Sequence, residues 1–319
     1  MEAGGGGAEE EQVMSEVHLG CPPHFSGLHI SHFSFSSRPL GPSGDNDGVG
    51  GGGSELAAAT SGSFRSDCHL LTIQHGVTSS LKSVGLQVWK AALLLGDFVL
   101  HKSFSSSNFD GVTAIETGAG TVGLALARVA RRIFVTDRGT DILDNCVANV
   151  HINSGMLKFD EAKVCVRELD WKTSWPPPVG THVPSNPSRY IWSTSEVEEA
   201  EKATVLFAAD VIYSDDLTDL FFGTVKKLMS CGAKKVLYSL EKRYNFSLDE
   251  LDVVANGYAH FRSFFTAQDG HGDPIDGYGP GFVGKQIDPA EIPQYIREYE
   301  RGKDLELWKI MYSPDQKQQ

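Results

Sequence analysis

A glycine-rich run at Gly118–Gly123 has the residue types and spacing most typical of ligand binding. It follows the pattern Gly-x-Gly-x-x-Gly, directly after an apolar stretch of strand length and directly before a helical pattern. Glycines in such a turn let the backbone approach a ligand, and the helix N-terminus behind it offers unpaired N–H groups. The run predicts a nucleotide-type site, although a simple tight turn has the same pattern.

Asp137 adds a second element of such a site, because it ends the next apolar strand, 19 residues beyond Gly118. A carboxylate at this position can accept hydrogen bonds from both hydroxyls of a ribose. The alternative is an exposed residue at a strand end, or a cap. The glycine run and Asp137 fit NAD as well as S-adenosylmethionine, so these two features do not select the cofactor.

Two further acidic positions bear on the choice of cofactor. Glu116 stands two residues before Gly118, where a carboxylate would repel the pyrophosphate of NAD but suits an ammonium and a sulfonium. Asp170 and Trp171 end the third strand, where an acid can accept from an adenine amino group beside an aromatic ring. A tryptophan that only packs in the core is the alternative for Trp171.

Asp210 leaves the apolar fourth strand and is followed three residues later by Tyr213. In such sheets ligands bind where the strand order reverses. We find no nearby Lys or Arg in the sequence, and an acid buried without a partner is costly, so we expect a functional role. The alternative is a helix N-terminus, with Ser214 or Asp215 as the cap.

The elements that would position these residues begin at residue 68, where strand and helix patterns alternate as in βαβ units with a mainly parallel sheet. The predicted strands are Val112–Glu116, Arg132–Asp137, Lys163–Leu169, Val205–Ala209, Lys235–Leu240 and Leu305–Met311. The predicted helices lie within 84–102, 122–131, 141–153, 217–229 and 248–261.

Composition sets residues 1–63 apart from this pattern. The runs Gly4–Gly7 and Gly48–Gly53 lose much backbone entropy on ordering and bury little, so we expect this segment to be largely flexible. Apolar residues that alternate between Val17 and Phe35 indicate a strand within it.

Charge and cysteine content limit the kinds of ligand and partner that we expect. The formal charge of -13 argues against direct nucleic-acid binding, because that affinity rests mainly on Lys and Arg. The five cysteines include no CxxC pair, which indicates reduced thiols and predicts no metal site. Neither a signal peptide nor a run of about 18 apolar residues is visible, so we expect no membrane span.

Several motifs together resemble the seven-strand protein-lysine methyltransferases known as methyltransferase family sixteen. They are Gly85–Trp89, Glu116-x-Gly-x-Gly, Leu169–Trp171, Asp210-x-x-Tyr213 and Ser239–Arg243. The resemblance covers residues 64–313 and leaves 314–319 as a tail. One departure is Thr117, where members often carry an apolar residue, and a small β-branched residue is compatible with the turn.

The resemblance implies a Rossmann-like α/β fold, with a seven-strand sheet in the order 3-2-1-4-5-7-6, strand 7 antiparallel and helices on both faces. It also implies methyl transfer from S-adenosyl-L-methionine to a lysine of a protein substrate. Asp137 would hold the ribose, and Asp210 with Tyr213 the incoming lysine. The residues expected to bind the cofactor are Trp89, Glu116, Gly118, Gly120, Asp137, Asp170, Trp171 and Ala209.

Other functions stay open on the sequence alone: a nicotinamide-dependent oxidoreductase, a small-molecule methyltransferase, or a non-catalytic binding module. The last would use residues 172–203, which the five prolines predict to be an irregular insert, as a docking surface. Beyond the protein substrate we expect no membrane partner, a monomer, and a location in the nucleus or the cytoplasm.

Overall fold

The computed structural model describes residues 12–15, 17, 27–37, 68–118, 120–180, 189–232, 235–247, 252–268 and 281–312. The predictions for most of residues 1–63, for part of the 172–203 insert and for the 314–319 tail lie outside these described residues.

Strands and helices alternate through the described chain. The strands are β1 (Gln12–Met14), β2 (Leu28–Ser36), β3 (Cys68–Gly76), β4 (Thr78–Ser80), β5 (Thr113–Thr117), β6 (Arg132–Asp137), β7 (Val164–Glu168), β8 (Val205–Ala209), β9 (Lys235–Glu241), β10 (Asn245–Ser247), β11 (Asp252–Val254), β12 (Thr266–Ala267), β13 (Phe282–Ile287) and β14 (Leu305–Tyr312). The helices are α1 (Lys90–Ser105), α2 (Thr121–Leu126), α3 (Thr140–Leu157), α4 (Thr194–Glu201), α5 (Asp215–Ser230) and α6 (Asn256–Arg262).

Eight strands form one sheet in the order β12-β13-β14-β9-β8-β5-β6-β7. The five strands from β9 to β7 are parallel, whereas β14 is antiparallel to both β9 and β13. Read from β7, this is the expected order 3-2-1-4-5-7-6, with the short strand β12 added at the far edge. The predicted fold class is therefore confirmed.

Helices cover both faces of this sheet, and successive residues of the central strands fill the two cores in turn. In β8, Val205 and Phe207 face the core shared with α1, α2 and α3, whereas Leu206 and Ala208 face the core shared with α4, α5 and α6. A strand buried on both faces reads as a continuous apolar run, which is why the sequence revealed these strands. Because parallel strands end at the same edge, the predicted site residues meet there.

The strand expected between Val17 and Phe35 is present as β2, which pairs antiparallel with β3 from Leu28↔Gly76 to Ser36↔Cys68. Phe33 and Phe35 are at most 1% exposed and belong to the main core. This part of the glycine-rich segment therefore packs with the α/β domain, although it precedes the expected boundary at residue 64.

The other edge of β3 is covered by asparagines spaced four residues apart on α3. Asn153 accepts from the Thr72 N–H at 2.9 Å and donates to the Thr72 carbonyl at 2.6 Å. Asn149 does the same with Gln74, at 2.7 and 2.9 Å. These side-chain amides make the bonds that a neighbouring strand would make, and they tie the hairpin to α3.

The prediction of an irregular insert at 172–203 is wrong for its described second half. Helix α4 lies there, and Ser193 caps it in a reciprocal pair with Glu196. Trp175 and Trp192, which both precede α4 within this insert, are buried, with their rings 5.5 Å apart. The sequence did not reveal this helix because only two of its residues, Val197 and Ala200, are buried, and because prolines and polar residues precede it.

The predicted helix over 248–261 is also wrong in its first part. Residues 252–254 form β11, which pairs with β10 in a hairpin, and helix α6 begins only at Asn256. Two consecutive valines, Val253 and Val254, favour the strand because β-branched side chains lose rotamer freedom in a helix.

One stretch of the described chain, Leu81–Ser105, is long and apolar enough to cross a membrane, with a mean hydropathy of 1.4. Of an apolar stretch of 18 residues within it, 72% is buried inside the structure. A core helix accounts for this composition, because α1 supplies Leu93, Leu94 and Leu95 to the main core.

We predict that Phe33→Ala lowers the free energy of unfolding by about 3–5 kcal/mol, the usual cost of removing a buried aromatic ring. The matched control is Ile30→Ala on the same strand, where the side chain is 48% exposed and the change should be small. Urea unfolding of both variants measures this. Equal effects would contradict the packing of β2 into the core.

Candidate functional site

A cavity of about 310 Å³ lies at the carboxyl edge of the sheet. This volume is within the range of small-molecule pockets, about 300–1,000 Å³. Eight of the ten predicted site residues line it: Trp89, Gly118, Asp137, Asp170, Trp171, Ala209, Asp210 and Tyr213. Glu116 and Gly120 do not line it.

Glu116 lies beneath the glycine turn instead of facing a ligand. Its side chain is buried, and its carboxylate accepts from the backbone N–H groups of Val122 and Gly123 at 3.0 and 2.5 Å. These N–H groups belong to the first turn of α2, so Glu116 caps that helix from the end of β5. The prediction that Glu116 contacts the cofactor does not fit this geometry.

The same contact still argues against a dinucleotide, for a different reason. In dinucleotide-binding folds the N–H groups at this helix N-terminus hold the pyrophosphate. Here two of them already donate to Glu116. Burial raises the pKa of Glu116 to about 7, although both N–H donors lower it, and the charge of Asp137 raises it further.

The two predicted glycines serve different purposes. Gly118 has φ of +126°, and a Cβ built there meets nothing within 4 Å, so open space that a ligand can fill lies beside it. Gly120 has φ of +80°, and a Cβ there would lie 3.1 Å from Val135 Cγ1. Gly120 therefore permits the left-handed turn that starts α2, and its predicted contact with the cofactor is not found in the cavity lining.

Asp137 ends β6 at the cavity wall. Its Oδ1 accepts from the backbone N–H of Arg138 at 2.7 Å. Burial raises the pKa of Asp137 to about 6, and the N–H bond and the charge of Arg138 oppose this rise. The site therefore contains a carboxylate that is ionised at neutral pH and protonates in mild acid.

Asp170 and Trp171 occupy the next strand end. Asp170 Oδ1 accepts from the Lys172 N–H at 3.0 Å, and Oδ2 lies 3.7 Å from Arg138 Nη1. The ring of Trp171 packs edge-on against Phe221 at 5.2 Å and also lines the cavity. Packing and ligand contact are therefore compatible roles for this tryptophan.

Arg138 is a cavity residue that the sequence analysis missed, although its position beside Asp137 was a signal. It lies near both Asp137 and Asp170 and lines the cavity with them. Tyr213 is 45% exposed at the rim. Burial, followed by the charge of Asp137, raises the pKa of the Tyr213 hydroxyl. The Tyr213 hydroxyl thus lies close enough to Asp137 to feel its charge.

Asp210 has φ of +56°, a left-handed conformation that Asp adopts more readily than most residues. It forms an ion pair with Arg243 and accepts from the Glu241 N–H at 3.4 Å. The expectation that no Lys or Arg lies near this acid is therefore wrong. The partner lies 33 residues further along the chain, and the pairing of β8 with β9 brings the two together.

Trp89, the residue immediately before α1, also lines the cavity. Its indole Nε1 donates to the Val84 carbonyl at 3.4 Å. The Arg243 Cζ atom lies 4.8 Å from the centroid of the Trp89 ring. Trp89, Asp210 and Arg243 thus form one cluster, and Trp89 and Asp210 line the same cavity as Asp137 and Asp170.

We predict that Glu116→Gln alters the pH dependence of stability. The folded pKa of Glu116 is about 7 and exceeds the unfolded value near 4.5, so its contribution is present at low pH and is lost as the pH rises through 7. Between about pH 5 and pH 8 the wild type should lose roughly 2 kcal/mol of unfolding free energy relative to the variant.

Urea unfolding at several pH values measures this difference. Glu198→Gln, at an exposed position on α4, is the control and should show no such trend. A difference between wild type and Glu116→Gln that stays constant with pH would contradict the burial assigned to this carboxyl.

Comparison with known proteins gives independent evidence on the family of this chain. Residues 66–184 match a family model described as lysine methyltransferase. Methyltransferase-like protein 22 of Mus musculus is 36% identical over 253 residues, which cover 77% of this chain and 60% of that protein. The Homo sapiens protein of the same name is 38% identical over 254 residues, covering 77% and 58%.

A more distant relative is Protein-lysine N-methyltransferase EEF2KMT of Homo sapiens, 26% identical over 160 residues that cover 48% of this chain and 42% of that protein. The chain spans at most 60% of the length of these curated relatives.

Proposed function

Since this chain belongs to the lysine methyltransferase family, with S-adenosyl-L-methionine as its cofactor, we propose that it methylates a lysine side chain of a protein substrate. One observation carries the proposal: a single cavity is lined both by Asp137, Asp170 and Trp171, which suit a nucleoside, and by Asp210. Cofactor and target amine could thus meet within it.

The cavity residues fit the cofactor. Asp137 presents a carboxylate for two ribose hydroxyls, and Asp170 beside Trp171 suits an adenine. Gly118 leaves open space where the chain turns, and Trp89 lines the same cavity. Acidic side chains around the cavity complement the positive charge of this cofactor.

Bound there, the cofactor would supply an electrophilic methyl group on a sulfonium, and the protein would have to present a neutral amine to it. A free lysine has a pKa near 10.4, so deprotonation at neutral pH costs about 4–5 kcal/mol. Burial beside another cation lowers this cost by disfavouring the ammonium. Asp210 accepts a hydrogen bond from the amine and aligns it, and alignment can supply a large part of the rate.

The overall charge is consistent with a basic substrate. A formal charge of -13 attracts positively charged segments over long range and so raises the association rate. We extend the proposal to substrates of the nucleus or the cytoplasm. The oxidoreductase alternative is less consistent with the site, because Glu116 occupies donors that a pyrophosphate would need.

We predict that affinity for S-adenosylhomocysteine falls in mild acid. Asp137 has a raised pKa of about 6, so it is ionised above this value and loses its charge below it. If the ionised form holds the ribose, binding at about pH 5.5 should be about fourfold weaker than at about pH 8.

Titration calorimetry measures this change. Asp137→Asn should bind more weakly at the higher pH and show little change between the two. A wild-type affinity that is the same at both pH values would argue against the ribose role of Asp137.

We predict that Asp210→Asn lowers methyl transfer about 100-fold or more, whereas affinity for S-adenosylhomocysteine stays within a few fold. Asn is chosen because it tolerates the left-handed backbone at this position. The assay is labelled methyl transfer into nuclear and cytosolic lysates, with mass spectrometry of the labelled protein.

Asp216→Ala, at an exposed acid in the first turn of α5, is the control and should keep full activity. Full activity of Asp210→Asn would remove Asp210 from the reaction. Label on residues other than lysine would contradict the proposed substrate class.

A further inference from the structure

Arg243 follows β9 and contacts two residues of the cavity lining, Trp89 and Asp210, although it is not itself part of that lining. Its guanidinium forms an ion pair with Asp210 and stacks on the Trp89 ring at 4.8 Å. The Arg243 side chain is 44% exposed, whereas that of Asp210 is 5% exposed. A half-exposed cation of the chain itself therefore covers the acid to which the proposed function assigns the target lysine.

The two residues before Arg243 have different surroundings. Lys242 Nζ forms an ion pair with Glu306 at 2.6 Å and lies 4.5 Å from the centroid of the Tyr258 ring. Glu241 lies 3.8 Å from Lys90 Nζ. Neither Glu306 nor Tyr258 lines the cavity, so Lys242 offers a matched cation whose two side-chain partners lie outside the cavity lining.

A carboxylate beside the face of an indole is a favourable environment for any side-chain cation. Charge-assisted hydrogen bonds and cation–π contacts hold an ammonium or a guanidinium alike. The target amine of the proposed reaction would need the same acceptor, Asp210. Arg243 and the target lysine therefore compete for one place.

We propose that Arg243 is a specificity-determining residue, which holds Asp210 and Trp89 until a target lysine displaces it. This inference rests on the proposed function. A lysine whose flanking segment makes further contacts with the protein gains the binding energy to displace the guanidinium. A lysine without such contacts enters poorly, so the ion pair selects against unspecific methylation.

The first test uses Arg243→Met, which removes the charge but keeps an unbranched chain over Trp89. The probe is a short oligolysine peptide, and the readout is the initial rate of labelled methyl transfer. KM should fall about tenfold with kcat within about twofold, since a competitor held by one charge-assisted pair is gone. Lys242→Met is the control and should leave KM unchanged.

The second test uses Arg243→Lys, which places a primary amine over the same acceptor. That amine should become methylated in cis: its nitrogen forms a bond to the methyl carbon as the carbon–sulfur bond breaks. The electron pair returns to sulfur, and the amine proton passes to solvent. Mass spectrometry should find the methyl group at position 243. The rate of this methylation per molecule should not depend on protein concentration. The methylation should be absent in the double variant that also carries Asp210→Asn.

The outcomes separate the two claims. Two results together support the inference. The first is a lower KM in Arg243→Met, or methyl transfer to the peptide by this variant alone. The second is methylation of position 243 in Arg243→Lys. An unchanged or higher KM, or an unmethylated position 243, overturns the inference and leaves the proposed function standing if wild type methylates the peptide. Absence of transfer by every variant, with S-adenosylhomocysteine still bound, would overturn both.

Discussion

The carboxylate of Glu116 joins the end of β5 to the start of α2, and the geometry of the site depends on this contact. It accepts from two N–H groups of the first helical turn and so closes the glycine turn between strand and helix. With the turn fixed, Gly118 borders the cavity and Gly120 stays below it. The contact also withdraws the donors that dinucleotide-binding folds use for phosphate, which shapes the choice of cofactor.

Much of this arrangement could be predicted from the sequence, for a physical reason. Strands buried on both faces are continuous apolar runs, and polar residues that follow them must lie at the carboxyl edge of a parallel sheet. Asp137, Asp170 and Asp210 each follow such a run, so their convergence on one cavity required no knowledge of contacts. Sequence motifs also placed Trp89 there, although no strand positions it.

What the sequence could not provide was the partner of each side chain. Glu116 and Asp210 both end strands, yet one turns beneath the helix and the other pairs with Arg243. That pairing depends on the register of β8 with β9, across 33 residues of chain, and local spacing does not contain register. Short elements were missed as well, because the eight residues of α4 and the three of β11 carry too little periodicity.

The asparagines of α3 have a consequence for the durability of the site. Neutral amides keep their hydrogen bonds when acids gain protons or when salt screens charges, so the anchorage of β3 is indifferent to both. Helix α3 begins three residues after Asp137, so this anchorage steadies the strand end at which Asp137 stands. The edge of β3 is also closed to another chain, because Thr72 and Gln74 already have amide partners. Titration of the cavity acids thus leaves the anchorage of β3 on α3 in place.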